Sequence, residues 1–317
     1  MSATVHILLL TRGLRGFVDG LVSVLLAGHL MRLGFSSLQV GALVTGTLLG
    51  SAALTLAVGF VGQGLGERRV LLWSAAIMCL TGIGFAGLTG FWPLLLVAVI
   101  GTLNPMAGDV SVFLPTEQAL LAHAGEAHDR TRLFARYNVV GTFAGGAGAL
   151  ASGLPALVAR SAGAVWGERW AFGLYALVAL VAAALYWRLP VRVTPATSGP
   201  ARRPLAHSRR VVVRLAVLFS LDSFGGGFVV QSLVVLWLYR RFGLSVATTG
   251  VVFFVAGLLG AVSQMVSPWL AQRIGLVRTM VYTHLPANLF LVLAGIVPSA
   301  PWAVTFLLLR SLLSQMD

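Results

Sequence analysis

Charge is what this sequence lacks. Only 10% of its 317 residues are Asp, Glu, Lys or Arg, and 58% are hydrophobic, where soluble domains carry roughly 25% charged residues. With a mean hydropathy of +0.91, a water-soluble fold of this size has nowhere to hide its apolar surface, so lipid must be the solvent for much of it. Lysine is absent: all 22 basic residues are arginine. The single cysteine, Cys79, lies in an apolar run and excludes an internal disulfide. Phosphate loops, nucleophile elbows and paired metal-ligand spacings are missing as well, so no enzyme class, cofactor or metal is indicated. A net charge of +13 would suggest nucleic acid in a soluble protein. Here the arginines cluster between apolar runs, where they act as topology signals, and nucleic acid is not an expected partner.

What is there is a series of long apolar runs. A membrane helix needs about 20 such residues, and ten runs qualify: 5–31, 38–63, 70–90, 92–121, 133–159, 169–188, 211–239, 246–271, 277–297 and 301–317. They are continuous rather than alternating, which argues against a β-barrel. The first has no basic leader and no small-residue cleavage site, and so reads as a membrane helix, not a signal peptide. With a cytoplasmic N-terminus, fourteen arginines fall in inner loops and five (Arg32, Arg160, Arg169, Arg240, Arg241) in outer ones, the positive-inside pattern. The expected setting is a bacterial inner membrane.

The segment 189–210, rich in Pro and Arg, predicts a cytoplasmic crossover. It divides an N-terminal six-helix bundle, 1–188, from a C-terminal part, 211–317, with four helices. An internal repeat supports the division. At a shift of 209, Arg32, Gly34, Ser36, Gly41, Gln63, Gly66 and Arg69 fall on Arg241, Gly243, Ser245, Gly250, Gln272, Gly275 and Arg278; a shift of 208 lays Asp109 on Asp317. Parallel repeats of this kind mark one transporter architecture.

On these features the chain resembles the major facilitator superfamily, which joins two six-helix bundles by a long cytoplasmic loop. That family's best-known motif lies between helices 2 and 3: Gly, three residues, Asp, a basic residue, any residue, Gly, then basic residues. The segment from Gly59 through Gln63, Gly64 and Gly66 to Arg68 and Arg69 keeps both glycines and the basic end, but has Gln for Asp. Gln272, Arg273, Gly275 and Arg278 repeat it. The resemblance implies an all-α membrane fold of two parallel-repeat bundles, 6 + 4 helices here and 6 + 6 in a complete protein of about 396 residues. It also implies that these motif residues form a cytoplasmic latch, which an uncharged Gln63 would make weaker or insensitive to pH; the competing reading is a tight turn with topology arginines and no gating role. Helix 4 lacks the Arg-x-x-x-Gly pattern of many proton-coupled members. The glycine-rich run Gly141–Gly148 of helix 5 lacks the antiporter proline and reads as close helix packing.

Ionisable residues inside spans are costly and face a cavity or a partner. Arg12, Arg15 and Asp19 share one face of the first helix, with Asp19 about 20 Å along it. Asp19 is a candidate for proton or substrate binding; the competing reading is a self-neutralised Arg15–Asp19 pair. Helix 4 carries Asp109, with Pro105 and Pro115 expected to bend it; Glu117 is expected to pair with Arg130 or Arg132. Asp222, Gln231 and Asn138 complete the candidates for the cavity.

The expected function is secondary transport of an unidentified small molecule by alternating access, with Asp19, Asp109 and Asp222 as candidates for proton coupling. The expected partners are membrane lipid and that substrate, and the chain is expected to be monomeric. Two alternatives are a non-transporting receptor or assembly factor on the same fold, and a ten-helix drug/metabolite-type transporter, whose repeat would be half the chain. The arginine asymmetry yields a direct test. In intact spheroplasts, Ser198→Cys should label poorly with impermeant thiol reagents; strong labelling from outside would reverse the orientation.

Overall fold

The computed structural model describes residues 3–106, 111–124, 130–154, 164–190, 209–226 and 229–314. The described residues form twelve helices and no strand. They are α1 (Ala3–Arg32), α2 (Ser37–Leu65), α3 (Glu67–Gly87), α4 (Phe91–Ile100), α5 (Phe113–Ala124), α6 (Arg130–Ala151), α7 (Ala164–Trp187), α8 (Arg209–Gly226), α9 (Gln231–Phe242), α10 (Val246–Ile274), α11 (Leu276–Ile296) and α12 (Ala300–Leu313). Six described stretches, in α1, α2, α3, α7, α10 and α11, are long and apolar enough to cross a bilayer. Large apolar side chains such as Trp73, Trp92, Leu177 and Leu285 point outward, as the surface of a lipid-solvated protein must. Most of the 189–210 crossover lies outside the described residues.

Two expected spans are divided. The run 92–121 is α4 and α5, of 10 and 12 residues, or about 15 and 18 Å against a hydrocarbon core of roughly 30 Å. Neither crosses alone. The run 211–239 is α8 and α9, which end and begin at Gly226 and Gln231, with the described residues 229 and 230 between them non-helical. Backbone polar groups at a break within a membrane must be satisfied by protein, and several of those described at the first break are. Tyr175 of α7 donates to the Thr102 carbonyl at 3.0 Å. Thr102 N–H donates to the Thr81 hydroxyl of α3 at 3.3 Å, and Met106 N–H to Asn104 Oδ1 at 3.1 Å.

The repeat seen in the residues is also present in the backbone. Helices α2 and α10 each have 29 residues, and α3 and α11 each have 21. Ser36 and Ser245 cap α2 and α10, each accepting from the N–H three residues on, Gln39 and Thr248. Among the described residues four glycines have positive φ, Gly34 (89°), Gly66 (78°), Gly243 (68°) and Gly275 (88°), two pairs at the same spacing of 209. Gly66 and Gly275 are each the single residue between two helices, with ψ of 143° and 152°. That region is essentially closed to any residue with a Cβ.

Glycine also sets how closely the helices approach. A Cβ on Gly20 of α1 would lie on the Gly145 carbonyl of α6, and one on Gly148 of α6 would lie on the Phe17 carbonyl of α1. Gly146 of α6 faces Gly257 of α10 less tightly, a Cβ on Gly257 coming within 3.1 Å of the Gly146 Cα, and this crossing joins the two halves (α1–α7 and α8–α12). The run from Gly141 to Gly148 is thus a packing surface on both sides.

The turn glycines give the test. Gly66→Ala and Gly275→Ala should each destabilise the protein by about 1–3 kcal/mol, read as a lower unfolding temperature in detergent. Gly59→Ala should be neutral or mildly stabilising, because Gly59 is helical, has open space around it, and Ala is the better helix former. Equal effects at Gly59 and Gly66 would refute the conformational argument.

Candidate functional site

Two polar centres are built from the charged residues of the spans. The first is inside the N-terminal half. Glu117 of α5 has no solvent exposure. Its Oε1 accepts from Tyr186 of α7 at 2.5 Å and lies 3.0 Å from the Thr11 hydroxyl of α1. Its Oε2 accepts from Arg15 Nη2 of α1 at 2.5 Å and from Tyr137 of α6. Four donors on three helices fill the carboxylate's acceptor sites. Arg15, 1% exposed, also reaches the Ser111 hydroxyl at 3.4 Å and lies 4.1 Å from the Phe113 ring centroid. The expected pairing of Glu117 with Arg130 or Arg132 is therefore not what forms. The partners are four buried side chains distant in sequence, because at this depth a carboxylate cannot turn to the loops.

The second centre is a cavity of about 160 Å³ between the halves. The N-terminal half lines it with α1 (Arg12, Gly16, Asp19, Gly20), α6 (Gly141 to Ala149) and Met106 at the first break. The C-terminal half contributes the start of α9 (Gln231, Val234), α10 (Val252 to Gly260) and α12 (Leu307, Arg310, Ser311, Ser314). Arg12 and Asp19 are 6% and 8% exposed. The Arg12 guanidinium lies against Gly141, where a Cβ would collide with it, and 5.0 Å from the Tyr137 ring centroid. Tyr137 thus joins the two centres, with its hydroxyl on Glu117 and its ring under Arg12.

At one edge of the cavity the two helix breaks meet. Gln231 donates to the Ser23 hydroxyl at 2.9 Å. The Ser232 hydroxyl donates to the Ser23 carbonyl at 2.6 Å and lies 3.2 Å from the Pro105 carbonyl, which also accepts the Ser232 N–H at 3.2 Å. Ser23 and Ser232 are 209 residues apart, so equivalent positions of the repeat touch each other. Further along α1, Glu168 of α7 holds Arg32 in an ion pair and lies 3.1 Å from His29 Nδ1.

The residues expected to form the site are distributed as follows. Arg12, Asp19 and Gln231 line the cavity, while Arg15 goes to Glu117. Asn138 is exposed on α6, outside the lining. Asp109 and the side chains of Asp222 and Gln63 lie outside the described residues. In the two motif loops, Arg68 lies 4.9 Å from the Trp187 ring centroid and Arg273 4.3 Å from that of Trp269, each within its own half. Sequence reasoning did not single out Tyr137, Tyr186 or Arg310. Arg310 carried a signal, as an arginine inside a span. The tyrosines carried none, since their roles depend on partners 20 and 69 residues away.

The sequence profile described as Major Facilitator Superfamily matches residues 8–316. An uncharacterized membrane protein of Saccharomyces cerevisiae, YJR124C, is 24% identical over 335 aligned positions, covering 94% of this chain and 75% of that protein. Among solved structures, a bacterial homolog of the human lysosomal transporter Spinster, inward-facing and unoccupied, superposes with a TM-score of 0.72 at 16% identity, covering 99% of this chain and 72% of that one. The nucleoside transporter NupG gives 0.69 at 15%, covering 100% and 79%, and a D-xylose-proton symporter gives 0.63 at 17%, covering 98% and 80%. At these identities the solved structures establish the fold.

The Glu117 centre predicts a stability effect. Glu117→Gln removes the carboxylate that pairs with the buried Arg15 and should cost about 3–5 kcal/mol, read as a large fall in unfolding temperature. Removing both charges, with Glu117→Gln and Arg15→Met together, should recover part of the loss. A single variant as stable as the parent would refute the pairing.

Proposed function

The chain belongs to the Major Facilitator Superfamily, and from that premise we propose that it carries a small molecule across the membrane by alternating access through the cavity between its halves. Membership makes it a membrane transporter rather than an enzyme, and the drug/metabolite-type alternative falls with it. The observation that carries the proposal is the lining itself. Both halves supply it, and it holds charged groups at a depth where they are expensive. Such groups repay their cost when a polar substrate or a proton neutralises them.

The contacts between halves suit a rocking motion. They run through α1 with α9, α6 with α10 and α1 with α10. They include glycine-lined crossings, Gly146 on Gly257 and Gly250 on the Ala149 carbonyl, and the short hydrogen-bonded patch at Ser23 and Ser232. Small residues permit one surface to slide on another without large side chains interlocking. With the arginine-rich side cytoplasmic, the patch at Ser23 and the Gly153–Ala247 contact lie toward the outer face. The halves then meet there, as an inward-facing state requires. Asp19, a carboxylate in the lining, is the described candidate for proton coupling.

Proteoliposomes holding the full-length protein should accumulate at least one member of a labelled metabolite panel above empty vesicles when a pH gradient is imposed. Ala256→Trp, which fills the cavity, should abolish uptake. Asp19→Asn should abolish accumulation driven by the gradient while leaving exchange of internal for external substrate. No uptake under any gradient would favour the receptor reading; an unchanged pH response in Asp19→Asn would remove Asp19 from the coupling.

A further inference from the structure

We infer that the cavity takes a ligand with a negatively charged group, a carboxylate or a phosphate, and that Arg310 receives it. This rests on the reading of the cavity as the substrate site. Among the described lining residues there is one carboxylate, Asp19, and there are two guanidinium groups. Arg12 lies on the helix of Asp19, two turns before it. Arg310 lies across the cavity on α12, in the other half. Its Nε makes no hydrogen bond, and among the described residues no carboxylate pairs with it. Arg15, the other arginine at this depth, is matched by Glu117.

An unmatched guanidinium in a membrane cavity has no cheap escape. Lysine can shed its proton when buried, but arginine remains charged, and its cost is relieved only by a counter-anion or by water. Its planar donors suit the paired oxygens of a carboxylate or phosphate. Ser311 and Ser314, at the end of the same helix, line the cavity beside Arg310. The asymmetry also gives the charge a mechanical use. An anion on Arg310 is held by the C-terminal half, and its remaining atoms face Arg12 and Gln231 at the boundary with the other half. An occupant there draws the two halves onto itself, and an empty cavity leaves Arg310 uncompensated.

The experiment follows thermal unfolding of the full-length protein in detergent with a panel of matched carboxylates, carboxamides and amines, and with inorganic phosphate. Phosphatidylglycerol and phosphatidylcholine in mixed micelles form a lipid arm. Carboxylate or phosphate members should raise the unfolding temperature; their amides and amines should not. Arg310→Gln should weaken that response roughly tenfold or more, and Arg310→Lys should retain part of it. Without any ligand, Arg310→Gln should unfold at a higher temperature than the parent, because it removes an uncompensated charge; a structurally paired arginine would give the reverse. A response to phosphatidylglycerol alone, lost in Arg310→Gln, supports the anion site and assigns the anion to a lipid headgroup. Stabilisation by amines or amides, an anion response unaltered in Arg310→Gln, or no response from any member overturns the inference. Ala256→Trp separates the two readings. If it removes an amide response, the cavity stands as the site and the anion falls; if an anion response survives it, the cavity itself is not the site.

Discussion

A carboxylate with no solvent exposure must find every hydrogen-bond donor inside the protein, and Glu117 finds them on α1, α6 and α7. Much of the N-terminal half is arranged around that demand. Glu117 sits on α5, the part of a divided span that follows the break, and its four partners fix where that segment lies. The break in turn is held by Thr81 and Tyr175 from α3 and α7. In water these groups would exchange partners with solvent at little net cost. In lipid an unpaired buried group carries the full penalty of its desolvation, so the network has few alternatives and fixes its geometry. Tyr137 passes that rigidity on to the cavity, with Arg12 packed on its ring.

The two halves share a plan and differ where the site is. Helices α2 and α3 recur as α10 and α11 with equal lengths, matching caps and matching positive-φ glycines. The second break has no equivalent in the first half: the first span is continuous in α1 and divided in its counterpart, α8 and α9, while α4 corresponds to a helix described from Ala300 to Leu313. The two breaks meet through Ser232 and the Pro105 carbonyl, so irregular backbone from one half satisfies irregular backbone from the other. That contact is where the irregular backbone of the two halves touches. Each broken end offers polar groups that a bilayer would not otherwise allow. The cavity opens beside this meeting point, with Gln231 belonging to both the patch and the lining.

Length and hydropathy made the membrane class and the all-helical fold legible, because a bilayer imposes one thickness and one solvent on every crossing. The repeat was legible because turns need particular residues: Gly at positive φ and Ser at a helix start leave marks at fixed spacing. Pro105 was expected to bend its span, and the span is divided there; the division of the other span was not expected. On the candidate site the same reasoning reached Arg12, Asp19 and Gln231, since a polar residue inside an apolar run stands out against its neighbours. It sent Glu117 to a nearby loop arginine because proximity along the chain was the only distance it could measure.

By itself, then, the sequence determined the solvent, the helical class, the turns and the repeated spacing, all of which follow from properties of single residues or short spacings. Tertiary structure alone decided who pairs with whom. Arg15 has Asp19 one turn away on its own helix, yet the packing of α1 against α5, α6 and α7 delivers it to Glu117, 102 residues on. Arg310 is one arginine in an apolar run until α12 sets it across a cavity from Arg12 with no carboxylate among the described residues to match it. Charge compensation in lipid depends on positions in space, and those are fixed only when the helices have packed.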